Sequence, residues 1–404
     1  MPKTRRVAIM LDLRWPLKRH ASIFAGTQRY ADEQGWESII DEYVAEHLLE
    51  QPKSVRLYDG VIGRVNAKLA GLRQRFDLPM VNTWFSSPVR SELPGVFHNP
   101  IAVGRLEAEH LLARGLRQFA VLTRKDQAQL QAAAAFRDVA AEAGFPCAIE
   151  RLPLVPSRNH QSWQRTEKQI DAWMDHWQLP IGVSICTEMM GRLVVQLCHR
   201  RGWRVPSDVA ILAGMNEESL CNHPRPSLSS VEIGYERIGY EAAHLLDHLM
   251  DERESRTRRS RQHGARPRDS VSQHILLPPQ ALIVRESTDF YAVEDELVAR
   301  ALQFIAANSH RDINCSEVAK SLHVHSRTLQ RRFRRVVDWP IADEIRRVRI
   351  ERAKRELTQS DRSIAKIAQD VGFGERMRLY EVFRREVGIT PSSYRKQRRL
   401  ENST

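Results

Sequence analysis

The sequence predicts an α/β chain: a two-lobed domain of parallel sheets, followed by an all-α domain with two helix-turn-helix units in tandem. Two observations lead to this fold class. Short apolar runs alternate with helical patterns through most of the chain, as in βα units that build a parallel sheet. One helix-turn-helix pattern then occurs twice near the carboxyl end. With 404 residues, the chain is long enough for two or three domains.

The α/β part divides into two series of strands and helices. The first contains the apolar runs VAIML, WESII, DGVIG and PMVNT, separated by helical segments such as ASIFAGTQRYADEQ. The second contains QFAVLT, CAIERL, GVSIC and VAILAG, again with helices between them. We therefore expect two lobes in one domain over residues 1–287, a linker over 288–294, and the helical domain over 295–404.

The segment from Asp251 to His274 lacks apolar periodicity and is rich in Arg and Ser. This composition predicts a solvated, flexible surface loop. The strand pattern ILLPPQALIV that follows it is expected to return to the first domain.

A helix-turn-helix pattern occurs near the carboxyl end. Ser363 is a suitable N-cap for a short helix, and Gly372 supplies the left-handed residue that ends it. An amphipathic helix follows, with Leu379, Phe383 and Val387 on one face. Thr390 before Pro391 then marks the start of a closing helix with a basic tail.

The same pattern occurs about fifty residues earlier, with Asn314 as N-cap of its first helix. Four apolar positions correspond between the copies: Ala319, Leu322, Leu329 and Phe333 in the first, and Ala368, Val371, Leu379 and Phe383 in the second. We therefore expect two DNA-reading units in tandem.

The segment IADEIRRVRIERAKRELT is predicted to be one helix that joins the two units. Its apolar residues change face halfway: Ile341 and Ile345 lie on one side, and Ile350, Ala353 and Leu357 on the other. Each half is therefore expected to pack against a different unit. Such a helix would hold two recognition helices at a fixed spacing, and successive major grooves on one face of DNA are about 34 Å apart.

Positive charge is concentrated in the helical domain. The chain carries a net charge of +12, and residues 295–404 contain 24 Lys and Arg against 15 Asp and Glu. A basic surface of this kind is typical of a domain that binds the phosphates of DNA.

The helical domain resembles the DNA-binding domain of the AraC/XylS family. The resemblance rests on IAQDVGF, the LxxxF of the second recognition helix, GITPSSYR, and the first unit at the matching distance. The chain departs from the family pattern at His323, where glycine is usual at the first turn.

Eight residues are predicted to face DNA, because they lie on the recognition helices opposite the buried Leu and Phe. Arg, Gln and Glu can read base edges in the major groove, and Arg can equally contact phosphate. These residues are Arg327, Gln330, Arg331 and Arg334 in the first unit and Arg376, Met377, Arg378 and Glu381 in the second.

The first domain resembles the effector-binding domain of LacI/GalR regulators and the periplasmic sugar-binding proteins. The stretch HNPIAVGRLEAEHLLARGLRQFAVLT is similar to the point where that family's chain enters its second lobe, and VPSDVAILAGMNEESL to its closing units. The resemblance implies a periplasmic-binding-protein-like fold and a small-molecule effector between the lobes.

Ligands of two-lobed α/β domains bind at the carboxyl ends of the strands. Five residues that follow apolar runs are therefore candidate effector contacts: Asp12, Trp15, Trp84, Glu188 and Asn216. Their carboxylates and amide suit sugar hydroxyls, and Trp suits the apolar face of a pyranose. By the resemblance, Glu188 and Asn216 stand where sugar regulators carry acidic contacts, although one is an amide here.

Two other chemistries are less favoured. Cys186 follows a strand, where some AraC relatives place a nucleophile, but the flanking Ile185 and Thr187 do not suit the strained turn such a nucleophile needs. Glu241, His244 and His248 share a helix face without the HExxH order of a zinc site. We expect no metal and no cofactor.

The sequence as a whole predicts a cytoplasmic transcription regulator, and the resemblance to sugar regulators implies an activator of genes for carbohydrates such as xylose. Its expected partners are an operator in double-stranded DNA, a sugar effector, a second copy in a homodimer, and RNA polymerase. No apolar stretch approaches the roughly 20 residues of a membrane span, so no membrane partner is expected. A regulator that senses a non-sugar metabolite, and an enzyme using Cys186 fused to a DNA-binding tail, remain as alternatives.

Overall fold

The computed structural model describes residues 4–14, 17–52, 55–153, 159–263, 274–290, 293, 295–337 and 339–396. Its α/β part forms two lobes, each built on a parallel sheet, and the residues after 295 are helical. The predicted fold class is confirmed. No helix in these ranges is both long and apolar enough to cross a bilayer.

The first lobe opens the chain with five strands and four helices. They are β1 (Arg6–Met10), α1 (Lys18–Gln34), β2 (Glu37–Ile40), α2 (Val44–Glu50), β3 (Gly60–Gly63), α3 (Ala67–Ala70), α4 (Arg73–Phe76), β4 (Met80–Asn82) and β5 (Gly95–His98). Strands β1 and β3 are buried almost throughout, because helices cover both faces of the sheet.

The second lobe follows with a four-stranded sheet. Its elements are α5 (Pro100–Ala113), β6 (Phe119–Arg124), α6 (Gln127–Glu142), β7 (Cys147–Leu152), α7 (His160–Met174), β8 (Ile181–Ile185), α8 (Glu188–Arg200), β9 (Val209–Ala213) and α9 (Glu218–Cys221). The strand order is β7-β6-β8-β9, and all neighbours are parallel.

Four further elements connect the lobes: β10 (Ser230–Glu232), α10 (Tyr235–His263), β11 (His274–Leu277) and β12 (Ala281–Ile283). Strand β11 pairs with β5 and completes the first sheet in the order β11-β5-β4-β3-β1-β2, while β12 pairs antiparallel with β10. The strands after the basic segment therefore return to the first domain, as predicted. The chain passes between the lobes after β5, after β9 and after β11.

Helices α1 and α10 cross at very short distance in the first lobe. A Cβ on Gly26 would lie 1.8 Å from the backbone oxygen of Glu236, and one on Gly239 would lie 1.9 Å from that of Ile23. Glycine at both positions lets the two helix backbones touch, which fixes the start of α1 beside the cleft.

The prediction of a loop from Asp251 to His274 is wrong for the first half of this segment, because α10 continues to His263. Arg5 forms ion pairs with Asp247 and Asp251 on successive turns of the helix. Arg253 is 7% exposed and donates a 2.9 Å hydrogen bond to the carbonyl of Asp77. Residues 264–273 lie outside the described residues.

The carboxyl-terminal domain contains α11 (Glu296–Asn308), α12 (Cys315–Ser321), α13 (Ser326–Val337), α14 (Ile341–Gln359), α15 (Ile364–Asp370) and α16 (Arg376–Val387). Helices α12 and α13 form the first helix-turn-helix unit, and α15 and α16 form the second. Residues 391–396 are helical as well, and the N–H of Ser393 donates to the Thr390 hydroxyl that caps them.

Helix α14 joins the two units in the way its pattern predicted. Ile341 and Ile345 pack into the core of the first unit with Leu329 and Phe333, both fully buried. Ile350, Ala353 and Leu357 pack into the separate core of the second unit with Leu379 and Phe383. The change of face along α14 therefore corresponds to a change of packing partner.

The turn of the first unit contains His323 in the left-handed conformation, with φ of 56°. The corresponding residue of the second unit, Gly372, has φ of 92°. A side chain in this region costs free energy that glycine avoids, so the departure from the family pattern is a strained position.

Candidate functional site

A cavity of about 240 Å³ lies between the two lobes, at the carboxyl ends of β3, β4, β6 and β8. Both lobes contribute to its wall, as predicted for the ligand site of a two-lobed α/β domain. We call this cavity the interlobe cleft. Its polar and aromatic lining includes Lys18, Arg19, Arg64, Trp84, His98, Arg124, Asp126, Gln129, Cys186, Glu188 and Glu217.

Trp84 lines the cleft, as the sequence predicted. Its backbone N–H donates a 3.0 Å hydrogen bond to the side-chain oxygen of Asn82, which fixes the turn after β4. The guanidinium carbon of Arg64 lies 4.6 Å from the centroid of its ring. One face of Trp84 is therefore covered by a cation.

Glu188 also lines the cleft, at the first position of α8. It is 6% exposed, and its Oε1 accepts hydrogen bonds from the backbone N–H groups of Met215 (2.7 Å) and Glu217 (2.9 Å). A Cβ on Gly214 would lie 2.0 Å from the Glu188 carboxyl carbon, so this close contact requires glycine. Glu188 consequently fixes the loop that follows β9.

Asn216 is not among the residues that line the cleft, although it follows β9 directly. It adopts the left-handed conformation with φ of 60° and is 4% exposed. Its side-chain oxygen accepts from Arg285 (2.7 Å), and its amide donates to Glu232 (2.8 Å). Both ends of this amide have partners outside the residues that line the cavity, and the effector contact of Asn216 stays a prediction.

Of the other two predicted contacts, the structure describes only Asp12. Asp12 closes a turn: its Oδ1 accepts the N–H of Arg14 (3.0 Å), and its carbonyl accepts from the His20 ring (2.7 Å). Asp12 is absent from the described lining of the cavity. Trp15 lies outside the described residues.

Three arginines of the cleft were missed from the sequence. Arg64 follows β3 immediately, Arg124 ends β6, and Arg19 belongs to the first turn of α1. Arg19 donates a 3.2 Å hydrogen bond to the Tyr235 hydroxyl. Their position beside strand ends was the available signal, but Arg near a loop also fits a solvated surface.

Burial perturbs two ionisable groups in the cleft. It lowers the pKa of His98 to about 3, so this imidazole is neutral at physiological pH. Burial also lowers the pKa of Arg64, and the nearby positive charge of Arg19 acts in the same direction. The first-lobe side of the cleft thus holds two cations that repel each other.

The cleft loop is connected to the start of the linker by hydrogen bonds. Arg285, which contacts Asn216, immediately precedes the short 3-10 helix Glu286–Thr288. Thr288 is fully buried. Its hydroxyl is hydrogen-bonded to the Ser229 hydroxyl (2.7 Å) and to the His110 ring (2.9 Å), and its carbonyl accepts a hydrogen bond from Arg114 (2.8 Å). The residue predicted to begin the linker is therefore held firmly by the first domain.

The beginning of the helical domain is tied to its first recognition helix. Asp295 caps α11 by accepting from the N–H groups of Leu297 and Val298, and it also receives two 2.7 Å hydrogen bonds from Arg332 of α13. The Arg332 guanidinium lowers the pKa of Asp295. A shift of residue 295 would therefore act directly on α13.

The eight predicted DNA-reading residues are all exposed on the two recognition helices. In the first unit, Gln330 is also within 3.1 Å of the Cys315 sulfur. In the second unit, Met377 is 66% exposed, and the Arg376 guanidinium lies 5.1 Å from the Tyr380 ring centroid. These exposed faces carry the donors and acceptors needed to read base edges.

Cys186 lies in the cleft wall, half-buried at the end of β8. Burial raises the pKa of its thiol to about 11, so the thiol is protonated at neutral pH. A nucleophilic cysteine needs the thiolate, which this environment disfavours. Within the described residues, no group of three His, Cys, Asp or Glu side chains is arranged to hold a metal ion.

Two family models match the chain, in the order that the fold shows. Residues 108–288 match the periplasmic binding protein-like domain, and residues 318–397 match the helix-turn-helix domain. The predicted resemblance of each part to its family is confirmed.

Relatives are similar to this chain over different lengths. The xylose operon regulatory protein of Escherichia coli (strain K12) is 25% identical over 402 residues, which cover 97% of each chain. An AraC-like transcription regulator of Streptomyces antibioticus is 33% identical over 102 residues, 25% of this chain and 34% of that protein. The structure of the xylose-binding transcription activator xylR matches with a TM-score of 0.56, 22% identity and 98% of each chain covered. The likeness to that structure extends over both domains.

Proposed function

We propose that this chain, a DNA-binding transcription regulator that joins a periplasmic binding protein-like domain to an AraC-type helix-turn-helix domain, is controlled by a sugar-class effector in its interlobe cleft. The observation that carries the proposal is the cleft itself, which is lined from both lobes at the strand ends. Similarity to xylose operon regulatory proteins over 97% of the chain supports an effector of the same broad class.

On the DNA side, the exposed faces of α13 and α16 read an operator. Arg327 and Arg331 of the first unit and Arg376 and Arg378 of the second are suited to guanine, which Arg recognises through two hydrogen bonds. A homodimer would place four such helices on paired half-sites. The regulator then acts in the cytoplasm as an activator that contacts RNA polymerase, for genes of carbohydrate use.

The effector acts by closing the lobes. A ligand that contacts both lobes favours the closed arrangement by its difference in affinity between the open and closed states. Movement of the second lobe reaches the loop after β9 through Glu188, and passes from Asn216 through Arg285 toward Thr288. Asp295 and its bonds to Arg332 then connect the far end of the linker to α13.

Two alternatives differ in what occupies the cleft. A non-sugar metabolite would use the same cleft and the same transmission to DNA. An enzyme would need Cys186 as a thiolate, and the raised pKa of this thiol favours a regulator without catalytic activity.

The test is a thermal-shift screen of the full chain against carbohydrates and other metabolites, followed by operator affinity with and without each hit. The proposal expects a carbohydrate-class hit that changes operator affinity. If all hits lie outside this class, the metabolite alternative is supported. Turnover of a hit that is lost in Cys186→Ser would instead support the enzyme.

A further inference from the structure

We infer that the effector is an anion, a sugar acid or sugar phosphate, and that Arg19, Arg64 and Arg124 bind its carboxylate or phosphate. This inference rests on the proposed role of the cleft and adds the charge class of its ligand. The three guanidinium groups come from both lobes: Arg19 and Arg64 from the first, and Arg124 from the second.

Among the described residues, the three arginines make no ion pairs of the kind that arginines elsewhere in the domain make. Arg201 is paired with Asp171 and Asp175, and Arg204 with Asp208. Within the described residues, Arg19 instead contacts the Tyr235 hydroxyl, Arg64 lies over Trp84, and neither Arg64 nor Arg124 has a carboxylate within ion-pair distance. A guanidinium forms two parallel hydrogen bonds with a carboxylate or phosphate, so all three groups retain this capacity.

The carboxylates of the cleft are partly engaged by the protein: Asp126 and Glu188 each accept hydrogen bonds at one oxygen, and the other oxygen has no partner among the described residues. Asp126 caps α6 by accepting the N–H groups of Ala128 and Gln129. Glu188 accepts those of Met215 and Glu217. Glu217 in turn accepts the N–H of Lys18 (2.9 Å) and the hydroxyl of Ser219 (3.2 Å).

This engagement matters because the hydroxyl groups of a neutral sugar need acceptors, whereas an anion needs donors. Tyr235 is the main cause of the raised pKa of Arg19, with smaller contributions from Asp126 and Glu188, and Asp12 and Asp126 oppose the lowering of the pKa of Arg64 by burial. Among the described residues, none of these carboxylates forms a direct ion pair with Arg19 or Arg64. The cleft thus offers more uncommitted donors than acceptors.

Trp84, an aromatic side chain of the cleft, also favours an anionic ligand. Arg64 covers one face of Trp84, so that face orients a guanidinium instead of stacking on a pyranose ring. The ordinary sugar-stacking role predicted for Trp84 is therefore unavailable on this face. An anion held by Arg64 would keep the stacked arrangement intact.

The start of α1 also faces the cleft with an unfavourable charge. Lys18 and Arg19 stand in the first turn, where the helix dipole is positive, and Leu17 provides no side-chain cap. The Lys18 ammonium pairs with Glu232 at 2.6 Å, whereas Arg19 donates to the Tyr235 hydroxyl and makes no ion pair within the described residues. A bound anion would offset the mutual repulsion of Arg19, Arg64 and the positive end of α1.

The experiment is isothermal titration calorimetry of the full chain with matched ligands: D-xylose, D-xylonate and D-xylose 5-phosphate, and the corresponding galactose series of sugar, galacturonate and galactose 1-phosphate. We expect at least one anion to bind ten times more tightly than its neutral partner, with affinity that falls as salt rises. The carboxylate and phosphate members of each series distinguish the two sources of the charge.

Two substitutions locate the charge effect. Arg64→Gln and Arg124→Gln should each weaken the anion at least tenfold and leave a neutral sugar within about twofold, while Arg137→Gln, on the exposed face of α6, should change neither. Equal or tighter binding of the neutral sugar, an equal loss for both ligand types, or no binding by any anion would overturn the inference.

The inference and the proposed function fail differently. If a neutral sugar binds and changes operator affinity, the proposed function is supported and the inference of an anionic effector is wrong. If an anion binds through Arg64 and Arg124 but does not change operator affinity, the inferred charge of the ligand is supported. The proposal that the cleft controls DNA binding is then wrong.

Discussion

Arg285 donates a 2.7 Å hydrogen bond to the side-chain oxygen of Asn216, and this contact joins the loop beside the interlobe cleft to the segment that leads into the linker. Arg285 also donates to the carbonyl of Leu228 and the hydroxyl of Ser230, so its position is well determined. Asn216 therefore connects the loop after β9 to the segment that leads into the linker.

The first prediction concerns this connection. Arg285→Met should leave effector affinity within about threefold but remove most of the change in operator affinity, because the cleft remains intact while its link to the linker is lost. Arg225→Met is the matched control, since Arg225 pairs with Glu286 at the surface. Calorimetry and operator titration measure the two effects, and an undiminished response in Arg285→Met would exclude this route.

The second prediction concerns the buried carboxyl of Glu107 on α5. Burial raises its pKa to about 7, although a 2.8 Å hydrogen bond from Ser184 opposes the shift. Because the folded-state pKa exceeds the unfolded value, the stability present at low pH is lost as pH rises through 7. At pH 8 the cost approaches about 3 kcal/mol.

Glu107→Gln should therefore stabilise the first domain at pH 8 and have little effect at pH 5. Thermal unfolding at both values measures this difference, with the exposed Glu142→Gln as control. A stabilisation of equal size at both pH values would show that ionisation of Glu107 is not its cause.

The third prediction concerns the two turns that correspond between the helix-turn-helix units. His323→Gly should stabilise the domain by up to about 1 kcal/mol, because glycine adopts positive φ without the side-chain cost. Gly372→Ala should destabilise it by more, since the added Cβ would lie 2.4 Å from the Ser309 carbonyl oxygen. Chemical unfolding of both variants checks the pair; a destabilising His323→Gly would mean that the histidine side chain contributes more than its backbone costs.

The fourth prediction concerns DNA reading. Substituting Ala at Arg327, Arg331, Arg376 or Arg378 should cost about 1–3 kcal/mol each where the residue contacts a base, with relaxed specificity at one operator position. Arg137→Ala, distant on α6, should have no effect. Binding to a library of operator variants measures both the loss of affinity and the change in specificity. A uniform loss of affinity on every sequence would show that the substituted arginine contacts phosphate.

The fold was predictable because its signals are local. Alternation of apolar runs and helices predicted both lobes, and the repeat around Phe333 and Phe383 predicted the two units together with the change of face along α14. The extension of α10 was not evident from the local pattern, and the Arg5–Asp247 contact on this helix joins residues more than two hundred positions apart in the sequence.

The site was predictable only in part. Trp84 and Glu188 were correctly predicted to lie at the cleft from their position directly after strands. The carboxyl ends of the strands meet at the cleft, so this position alone brings a residue there. Asn216 also follows a strand, but its left-handed backbone turns the amide toward Arg285, outside the residues that line the cleft. Local sequence does not specify which partner such a side chain meets, nor does it distinguish Arg64 in a cleft from an arginine in solvent.

The most direct test of control by the cleft is operator affinity of the full chain with and without the effector found by screening, compared with the double variant Trp84→Ala/Glu188→Ala. Both substituted residues line the cleft and are distant in the fold from the recognition helices. We predict that the effector changes operator affinity at least tenfold in the unaltered protein and not in the double variant, while their effector-free affinities agree. A full response in the double variant would contradict the account and place the controlling site outside the interlobe cleft.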